Sequence, residues 1–489
     1  MKLRDLFQDV PGVKMSANGG RDIVGLAYSS KEVRPGYLFA AMRGVKRDGF
    51  EFIGEAGRAG AGAVLSDRPM PPDWNAGWVQ AAEVREALAL AAANFYGHPS
   101  IKLKVVGITG TKGKTTLTYL LESIFVKAGF QPGVIGTVSY RWPGSHVPAP
   151  RTTPEAPDLQ KMMTEMLAQG VTHCLIEVSS HALDLKRVWG IHFDIAVFTN
   201  LSPEHLDYHA SMEDYFEAKK KLFFLNAKQR TAVVNLDDSW GKRLITELPL
   251  KTVSFGFEPA AIVRSQRFRL AETGIKAEVD YPGGQVAICS ALMGRHNLSN
   301  ILAAIATSLA LNIPALAIKE GISALKNIPG RLEKIENPLG LEVFVDYAHT
   351  DQALRSLLET IRGLKPSRIL LVFGAGGDRD KSKRPRMGEA AAELADQTFL
   401  TSDNPRSEDP LRIIADIEKG FLQKGAKNYR VIPDRREAIV QALAAARKGD
   451  YVLVAGKGHE DYQIFRDKTI HFDDAEVIRE ILGTMEARG

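Results

Sequence analysis

Cysteine is scarce in this chain, which has only Cys174 and Cys289 among its 489 residues. Both lie in apolar, strand-like contexts, and their spacing does not match a metal-binding cluster. We therefore expect two small buried side chains in a reducing compartment.

Long hydrophobic runs and long runs of one charge sign are also missing. The most apolar region, residues 301–318, contains Asn312 and Pro314, which is typical of a buried helix and a following turn rather than a membrane span. The first nine residues contain no apolar signal core. The 63 basic and 58 acidic residues give a net charge of +5, which suits an anionic substrate but does not indicate nucleic acid. We expect a cytoplasmic protein without a membrane span or a nucleic-acid partner.

The length and the order of the predicted elements indicate an α/β protein of three domains, since about 150 residues is a usual domain size. The expected boundaries are 1–100, 101–330 and 331–489. In the middle domain, strand-like runs alternate with helical segments, which predicts a mainly parallel sheet. Residues 251–292 are turn-rich and alternate in polarity, which predicts an antiparallel patch.

The alternation restarts after Pro329-Gly330 and predicts a Rossmann-like, doubly wound unit. The expected strands are 341–346, 368–374, 397–401 and 451–455. The expected helices are near 351–363, 384–395, 408–423 and 434–447.

Residues 105–116 form the most informative motif, Val-Val-Gly-Ile-Thr-Gly-Thr-Lys-Gly-Lys-Thr-Thr. A β-branched run leads into a glycine turn and then into a segment of helical period. Gly110 and Gly113 would allow backbone N–H groups to approach phosphate oxygens. Lys114 can bridge terminal phosphates, and Thr115 offers a hydroxyl to Mg²⁺. The motif predicts a nucleoside triphosphate site, although Ile108 replaces its first glycine, so an ordinary βαβ turn is the alternative.

Polar residues follow two other predicted strands of the middle domain. Glu177 could complete a Mg²⁺ shell begun by Thr115; a helix-capping carboxylate is the alternative. His205 and His209 have zinc-like spacing, but Leu206-Asp207 stands where H-E-x-x-H needs its glutamate. One histidine near phosphates is the better interpretation, and a hydrogen-bonded structural histidine is the alternative. The nearby lysine run 219–221 by itself indicates a solvated basic face.

Two strand ends of the third domain carry modest signals. Asp346 suits a ribose hydroxyl or a phosphate-bound water. Residues 374–380 form a glycine turn, but Arg379 occupies the third glycine position of G-x-G-x-x-G, so the dinucleotide fingerprint fails.

Two further strand ends predict an amino-acid pocket. Asp403, Asn404 and Arg406 place a carboxylate, an amide and a guanidinium on one turn, a set that suits a zwitterion. Glu460 adds a carboxylate within Gly-Lys-Gly-His-Glu. Charges of both signs without a nucleophile favour recognition of an amino acid.

In combination, these strings resemble the Mur ligase family over nearly the whole chain and in family order. The matching strings are Gly110-Thr-Lys-Gly-Lys-Thr-Thr116, Arg151-Thr-Thr-Pro154, Glu177-Val-Ser-Ser-His181, Thr199-Asn-Leu201, His205-Leu-Asp-Tyr-His209, Gly294-Arg-His-Asn297, Pro329-Gly-Arg331, Asp346-Tyr-Ala-His349, Gly376-Gly-Asp-Arg-Asp380, Asp403-Asn-Pro-Arg406 and Gly456-Lys-Gly-His-Glu460.

The resemblance implies an ATP-dependent amide ligase of peptidoglycan precursor synthesis. It implies a UDP-sugar-binding first domain, a central ATP-binding domain of P-loop type and a C-terminal amino-acid-binding domain. The implied substrates are ATP, UDP-N-acetylmuramoyl-L-alanyl-D-glutamate and, from the D-N-P-R string, meso-2,6-diaminopimelate. The implied cofactor is Mg²⁺, and we expect a monomer.

The resemblance also implies a role for particular residues. The implied ATP contacts are Gly110, Thr111, Lys112, Gly113, Lys114, Thr115, Thr116, Asn297, Arg331 and Asp346. The implied UDP-sugar dipeptide contacts are Ser30, Thr152, Thr153, Ser179 and Arg187. The implied diaminopimelate contacts are Arg379, Asp403, Asn404, Pro405, Arg406, Gly456 and Glu460. The implied catalytic set is Lys114, Glu177, His205 and Lys219. The implied metal set is Thr115, Glu177, His205 and a CO₂-derived carbamate on Lys219.

Three departures from the family pattern occur. Tyr28-Ser29-Ser30-Lys31 replaces the usual Asp-Ser-Arg of the uridine region. Lys112 replaces an asparagine, and Asp351 replaces a proline. A folylpolyglutamate-synthase-like ligase and a non-enzymatic P-loop switch are the alternative functions.

Overall fold

The computed structural model describes residues 1–16, 19–44, 47–206, 208–225 and 230–486. The helices are α1 Leu3–Leu6, α2 Ile53–Arg58, α3 Val84–Phe95, α4 Lys114–Lys127, α5 Ala156–Ala168, α6 Ser180–Asp184, α7 Met212–Phe224, α8 Ser239–Glu247, α9 Arg295–Ala310, α10 Ala315–Ala324, α11 Asp351–Arg362, α12 Lys383–Leu394, α13 Pro410–Gln423, α14 Arg435–Ala445 and α15 Asp474–Glu486.

The strands belong to four sheets. They are β1 Val13–Met15, β2 Gly25–Ala27, β3 Tyr37–Ala40, β4 Ala63–Ser66, β5 Gly77–Ala81, β6 Lys104–Thr109, β7 Pro132–Ile135, β8 Ser139–Trp142, β9 Ser145–Pro148, β10 His173–Glu177, β11 Ile195–Phe198, β12 Thr231–Asn235, β13 Lys251–Gly256, β14 Val263–Ala271, β15 Gly274–Tyr281, β16 Gly284–Ser290, β17 Glu333–Lys334, β18 Glu342–Asp346, β19 Ile369–Phe373, β20 Gln397–Leu400, β21 Tyr429–Val431, β22 Tyr451–Ala455, β23 Tyr462–Ile464 and β24 Thr469–His471.

The first sheet has the order β1-β5-β4-β3-β2. Strands β2 to β5 pair in parallel, and β1 pairs antiparallel with β5. Leu38, Leu65 and Val79 are buried on this sheet beside Leu88 of α3. The apolar side chains of the sheet and the alanine-rich helix α3 therefore pack together into one hydrophobic core.

The large sheet has the order β16-β15-β14-β13-β12-β11-β6-β10-β7-β8-β9. Strand β6 lies between β10 and β11, and all three run parallel. Their residues form nearly continuous apolar runs, as expected for strands covered on both faces. Parallel pairing brings the carboxyl ends of β6, β10 and β11 to one edge of the sheet. The segments that follow these strands are thus neighbours.

The expected antiparallel patch at 251–292 is wrong for its first strand. Strand β13 pairs in parallel with β12, and β14 pairs in parallel with β13. The short connection at 236–250 contains helix α8, which supplies the crossover that parallel strands need.

The C-terminal sheet has the order β17-β18-β22-β19-β20-β21, with parallel pairing from β18 to β21. Leu371 and Phe373 of β19 join a core with helices α11, α12 and α13. Leu370 and Val372 join a second core with α14 and α15. Alternate side chains of one strand thus enter different cores, so this sheet is covered on both faces as predicted.

The chain forms two compact units that interleave in sequence. The first comprises residues 1–267, 278–287 and 299–322, and the second comprises residues 268–277, 288–298 and 323–489. Within the described residues, no helix is both long and apolar enough to cross a membrane. In the apolar region 301–318, residues up to Ala310 lie in α9 and a turn follows, as expected, and helix α10 then begins at Ala315.

The expectation that both cysteines are buried is wrong for one of them. Cys174 of β10 is buried, but Cys289 of β16 is exposed. Strand β16 alternates, with Val286, Ile288 and Ser290 buried, so the residue between the last two faces outward.

Candidate active site

The glycine turn after β6 forms a loop whose backbone is fixed by the segment after β11. Thr111 N donates to the Asn200 carbonyl at 2.9 Å, and Lys112 N donates to Asn200 Oδ1 at 3.0 Å. Gly110 has φ +144°, and a Cβ there would lie 1.9 Å from Thr199 Oγ1. Only glycine fits at this position, because both the backbone conformation and the space exclude a side chain.

The loop leads directly into helix α4, whose first turn carries the predicted phosphate residues. Gly113 precedes the helix with φ +89°, and Thr115 and Thr116 are buried in its first turn. Lys114 Nζ donates to the carbonyls of Gly110 at 2.8 Å and Thr111 at 3.0 Å. A helix N-terminus with a flanking ammonium is a favourable place for phosphate.

Glu177 lies where β10 ends, beside the glycine turn at residues 110–113, the predicted phosphate loop. Its Oε2 accepts from Thr115 Oγ1 at 3.0 Å and from Thr137 Oγ1 at 2.8 Å. Its Oε1 accepts from Thr137 N at 3.0 Å. The structure therefore brings the two predicted Mg²⁺ ligands Thr115 and Glu177 together.

The donor set fits Mg²⁺, which prefers oxygen ligands and keeps several waters or phosphate oxygens. Across the described ranges there is no group of three or more His, Cys, Asp or Glu side chains that could hold a metal by themselves.

Lys219 of α7 is 1% exposed, so the solvated interpretation of this lysine is wrong. Its Nζ donates to the Gly110 carbonyl at 2.9 Å, the same oxygen that Lys114 contacts, and lies 4.5 Å from the Tyr215 ring centroid. Burial, with the Lys114 charge added, holds the pKa of Lys219 well below its usual range. Lys221, two residues on, is exposed.

A group of aromatic rings surrounds the next predicted residue, His205. The His181 and His205 ring centroids are 4.9 Å apart, and the His205 and Tyr215 centroids are 6.1 Å apart. His209 is buried and its Nε2 lies 3.0 Å from Ser180 Oγ, so it takes the structural role that the sequence left as the alternative. Asp207 lies outside the described residues. Sequence reasoning gave His181 no role.

Four of the predicted UDP-sugar dipeptide residues lie together behind Glu177. Thr153 Oγ1 donates to the Glu177 carbonyl at 2.8 Å, and Ser179 N donates to Thr153 Oγ1 at 3.1 Å. Arg187 Nη1 donates to the Thr153 carbonyl at 3.1 Å. Thr152 Oγ1 lies 3.1 Å from Thr137 Oγ1. Thr137, which contacts Glu177 as well, had no sequence signal.

Glu155 is a second residue that sequence reasoning missed. Its carboxylate lies 2.9 Å from Arg187 Nε, 3.1 Å from Arg151 Nη1 and 3.3 Å from Arg85 Nη1. Three guanidinium groups therefore surround one carboxylate beside Thr153. Because these arginines come from distant segments, no local motif could predict the cluster.

Ser30, the fifth predicted dipeptide residue, lies in a short helical turn between β2 and β3. Its Oγ donates to Glu55 Oε2 at 3.0 Å. The preceding Tyr28 donates from its hydroxyl to Asp158 Oδ2 at 2.7 Å.

The three remaining predicted nucleotide residues lie in the second unit. Asn297 and Arg331 line one cavity of about 340 Å³, together with Glu272, Lys326 and Lys334. The Asp346 carboxylate accepts from Leu332 N at 2.7 Å and Ala348 N at 2.8 Å, which fixes its orientation where β18 ends.

The predicted amino-acid residues converge where β19, β20 and β22 end. Asn404 Nδ2 donates to Glu460 Oε2 at 2.7 Å, and the Tyr347 hydroxyl lies 3.4 Å from Glu460 Oε1. Burial, together with the charge of Asp403, raises the pKa of Glu460. Gly456 has φ +113°, and a Cβ there would lie 2.6 Å from Asp403 Oδ2. The carboxylates and the amide therefore form one compact polar group.

Two arginines lie beside this group. Arg406 has φ +53°, an uncommon conformation for a non-glycine residue, and its Nη1 donates to the Gly377 carbonyl at 2.8 Å. Pro405, between Asn404 and Arg406, is buried. The Arg379 side chain is exposed, and a Cβ on Gly376 would lie 3.8 Å from its Cγ and 2.9 Å from Arg406 Nη1.

Lys457 is the residue of this pocket that sequence reasoning passed over. It is fully buried; its Nζ donates to the Tyr462 carbonyl and lies 3.7 Å from Glu460 Oε2. Burial lowers the pKa of Lys457, and the carboxylates around it oppose that shift. The string Gly-Lys-Gly-His-Glu contains this lysine, but the motif does not indicate that the lysine is buried. The lysine is buried because it lies just after the end of β22.

Three family models match the chain in order. They are the Mur ligase family, catalytic domain (residues 22–96), the Mur ligase middle domain (108–308) and the Mur ligase, glutamate ligase domain (330–458).

Curated relatives match over the full length. A UDP-N-acetylmuramoyl-L-alanyl-D-glutamate--2,6-diaminopimelate ligase of Geobacter metallireducens is 42% identical and covers 100% of both chains. A ligase of the same name from Solibacter usitatus is 46% identical over 94% of each chain.

A solved structure of UDP-N-acetylmuramoyl-L-alanyl-D-glutamate--2,6-diaminopimelate ligase superposes with a TM-score of 0.72 at 31% identity, covering 99% of each chain. The chain therefore belongs to the Mur ligase family. The predicted α/β fold of three domains is confirmed.

Proposed function

We propose that this protein is an ATP-dependent ligase that joins meso-2,6-diaminopimelate to UDP-N-acetylmuramoyl-L-alanyl-D-glutamate in peptidoglycan precursor synthesis. The relatives carry the name of this ligase. The observation that carries the proposal is the polar group of Asp403, Asn404, Arg406 and Glu460, because it offers both charge signs to an amino acid and contains no nucleophile.

In this proposal the three expected domains divide the substrates among them. Residues 1–100 take part in binding the UDP-sugar, residues 101–330 bind ATP, and residues 331–489 bind the amino acid. The three family models, which cover 22–96, 108–308 and 330–458, support this division. The protein acts in the cytoplasm as a monomer.

The reaction proceeds in two steps. A D-glutamyl carboxylate oxygen attacks the γ-phosphorus of ATP, the bond to the β-phosphate oxygen breaks, and ADP leaves. The amine of diaminopimelate attacks the carbonyl carbon of the acyl phosphate, the phosphate leaves, and the new amide loses a proton. Most of the rate comes from holding these groups in place and offsetting the charge of the phosphoryl group.

Residues of the phosphate loop act on the first step. The backbone N–H groups of 110–113 and the start of α4 hold the phosphates, with Thr111, Lys112 and Thr116 around them. Lys114 turns from the Gly110 carbonyl to the transferring phosphoryl group and offsets its charge. Mg²⁺, held by Thr115 and Glu177 with His205 nearby, supplies further charge neutralisation. Asn297, Arg331 and Asp346 contact the rest of the nucleotide.

Lys219 carries a carbamate in the active protein. Its nitrogen attacks the carbon of CO₂ and loses a proton, which replaces a cation with a carboxylate-like ligand. The depressed pKa of Lys219 supports this step, since only the neutral amine is a nucleophile.

The remaining predicted residues position the two joined substrates. Ser30, Thr152, Thr153, Ser179 and Arg187 bind the UDP-sugar dipeptide. Arg406 and Arg379 bind carboxylate groups of diaminopimelate, and Asp403, Asn404 and Glu460 face its ammonium groups. Pro405 and Gly456 shape the backbone around them.

The test is release of ADP with the UDP-dipeptide present and with meso-diaminopimelate, lysine or no amine as acceptor. We expect fast release only with diaminopimelate. Release without any acceptor would favour a nucleotide switch. Release that requires a folate and glutamate instead would favour the folylpolyglutamate-synthase-like alternative.

A further inference from the structure

A buried ion pair lies beneath the proposed amino-acid pocket. Arg384 of α12 is 0% exposed and forks onto Glu408, with Nη1 to Oε2 at 3.0 Å and Nη2 to Oε1 at 2.9 Å. Arg384 also donates to Asp416 Oδ2 at 3.1 Å and to the Gly376 carbonyl at 3.2 Å. Nothing in the proposed reaction uses this guanidinium.

The pair connects two loops, the glycine loop (residues 374–380) and the DNPR loop (residues 401–409). Arg384 reaches the glycine loop through the Gly376 carbonyl, and Glu408 belongs to the DNPR loop. Glu408 Oε1 also accepts from Asp378 N at 2.6 Å. The carboxylate of Asp378 accepts from Ser407 N at 3.2 Å and from Ser407 Oγ at 2.6 Å. Glu408 is therefore the point where both loops and α12 meet.

Two further contacts bring the loops together at the pocket itself. Gly377 N donates to the Asn404 carbonyl at 2.9 Å, and Arg406 Nη1 donates to the Gly377 carbonyl at 2.8 Å. A Cβ on Gly377 would lie 1.9 Å from the Pro405 carbonyl oxygen. The loops approach so closely that a small displacement of one would move Asn404 and Arg406 of the other.

The fork is also strongly charge-assisted. The Arg384 guanidinium, more than any other group, lowers the pKa of Glu408 to about 2, so this carboxylate stays ionised over the working pH range. A planar guanidinium that contacts two oxygens of Glu408 fixes both distance and orientation, which a lysine cannot do.

We infer that Arg384, acting through Glu408, is a positioning residue for diaminopimelate. It holds the glycine loop and the DNPR loop in the relative position that directs Arg379 and Arg406 toward the carboxylates of this substrate. This inference rests on the proposed function, because it assigns the two loops to that substrate. Arg384 does not touch the substrate.

The kinetic test compares Arg384→Lys and Glu408→Gln with the parent. Both variants should raise the KM for meso-diaminopimelate by roughly tenfold to a hundredfold, since small errors in placement are costly in such sites. The KM values for ATP and for the UDP-dipeptide should change less than about twofold, and kcat at saturating diaminopimelate should fall little, because the phosphate loop is untouched. Equal changes in all three KM values, or an unchanged KM for diaminopimelate, would overturn the inference.

Asp416→Asn is the matched control. It removes the other carboxylate that Arg384 contacts but leaves the fork to Glu408 and the bond to Gly376 in place. We expect parental kinetics. A rise in the diaminopimelate KM as large as that of Arg384→Lys would show that burial of the arginine, not the connection of the loops, matters.

Hydrogen exchange supplies a readout that does not depend on the substrate. The amides of Gly377 and Asp378 should exchange faster in Arg384→Lys and Glu408→Gln than in Asp416→Asn, since they donate to the DNPR loop. Unchanged exchange would contradict the positioning role even in a folded, active variant. A parent enzyme without diaminopimelate-dependent ADP release would contradict the proposed function instead, and the exchange data would then decide only whether Arg384 and Glu408 hold the two loops together.

Discussion

At the scale of single residues, two lysines share one acceptor. Lys114 Nζ and Lys219 Nζ donate to the Gly110 carbonyl at 2.8 and 2.9 Å. Two ammonium groups at one buried oxygen would repel each other, and the charge of Glu204 opposes the resulting fall in the pKa of Lys219 only in part. One of the two should therefore lose its charge, and burial lowers the pKa of Lys219.

The first prediction concerns Lys219. Lys219→Ala should lose nearly all ligase activity, because the proposed carbamate ligand disappears. Added short carboxylates should restore part of the activity by filling the space left by the side chain. The measurement is ADP release with and without the added carboxylate.

Lys221→Ala is the control for Lys219→Ala. Lys221 lies on the same helix, is exposed and pairs with Asp184 at 3.0 Å, so its loss should leave activity within about twofold of the parent. Crystals of the nucleotide-bound parent should show carbamate density on Lys219. A bare ammonium in that structure would contradict the assignment.

The second prediction concerns Arg406. Meso-diaminopimelate differs from lysine by a carboxylate next to its far ammonium, so discrimination needs a cation that lysine leaves unpaired. Loss of a desolvated, hydrogen-bonded charge pair costs about 2–5 kcal/mol. Arg406→Ala should lose most activity with diaminopimelate without becoming an efficient lysine ligase. Arg406→Lys should raise the KM for diaminopimelate and change ATP binding little, because the fork is lost and the charge is kept.

Steady-state kinetics with both amino acids decides the role of Arg406. If Arg406→Ala uses diaminopimelate as well as the parent does, the pocket lies elsewhere and the bond from Arg406 to Gly377 serves only to fix the turn.

At the scale of elements, parallel strands explain why residues from distant motifs become neighbours. Strands β6, β10 and β11 end at one edge of the large sheet, which brings Gly110, Glu177 and Thr199 together. Strands β18, β22, β19 and β20 do the same for Asp346, Glu460, Arg379 and Arg406. The order of strands in a sheet therefore assembles each site from short turns.

The third prediction concerns the tight contact between the phosphate loop and the segment after β11. Gly110→Ala should lose activity and about 1–3 kcal/mol or more of unfolding free energy, because the new Cβ meets Thr199 and the residue is in a conformation that favours glycine. Gly129→Ala is the control, since Gly129 also has a positive φ, +82°, but has nothing within 4 Å of its Cβ position. Urea unfolding of both variants gives the comparison. Equal destabilisation would show that backbone conformation alone is responsible.

The sequence could predict those parts of the candidate site that lie in one short segment directly after a strand. The phosphate loop, Glu177 and the Asp403–Arg406 turn each follow a strand whose apolar run is readable, so their positions were predictable. Glu155 with its three arginines and the Arg384–Glu408 pair join segments far apart in sequence, and only the fold reveals them. The outward Cys289 and the parallel β13 were predicted wrongly, because short alternating runs do not specify which face or which neighbour a strand takes.

At the scale of the whole molecule, the chemistry requires three ligands of different character. The first unit carries the proposed phosphate loop, Glu177 in contact with Thr115, and Glu155 among three arginines. The second unit carries a cavity lined by Asn297 and Arg331 and a polar group suited to a zwitterion. The proposed ligase, which joins a carboxylate to an amine at the expense of ATP, would use each of these features.

The most direct test of the proposed ligase activity is the mass of the UDP-linked product. The protein is incubated with ATP, Mg²⁺, UDP-N-acetylmuramoyl-L-alanyl-D-glutamate and an equimolar mixture of meso-diaminopimelate and lysine. We expect a single product that has gained diaminopimelate less one water, formed in step with ADP. A product that has gained lysine, or ADP release with the UDP-dipeptide unchanged in mass, would contradict the proposed activity.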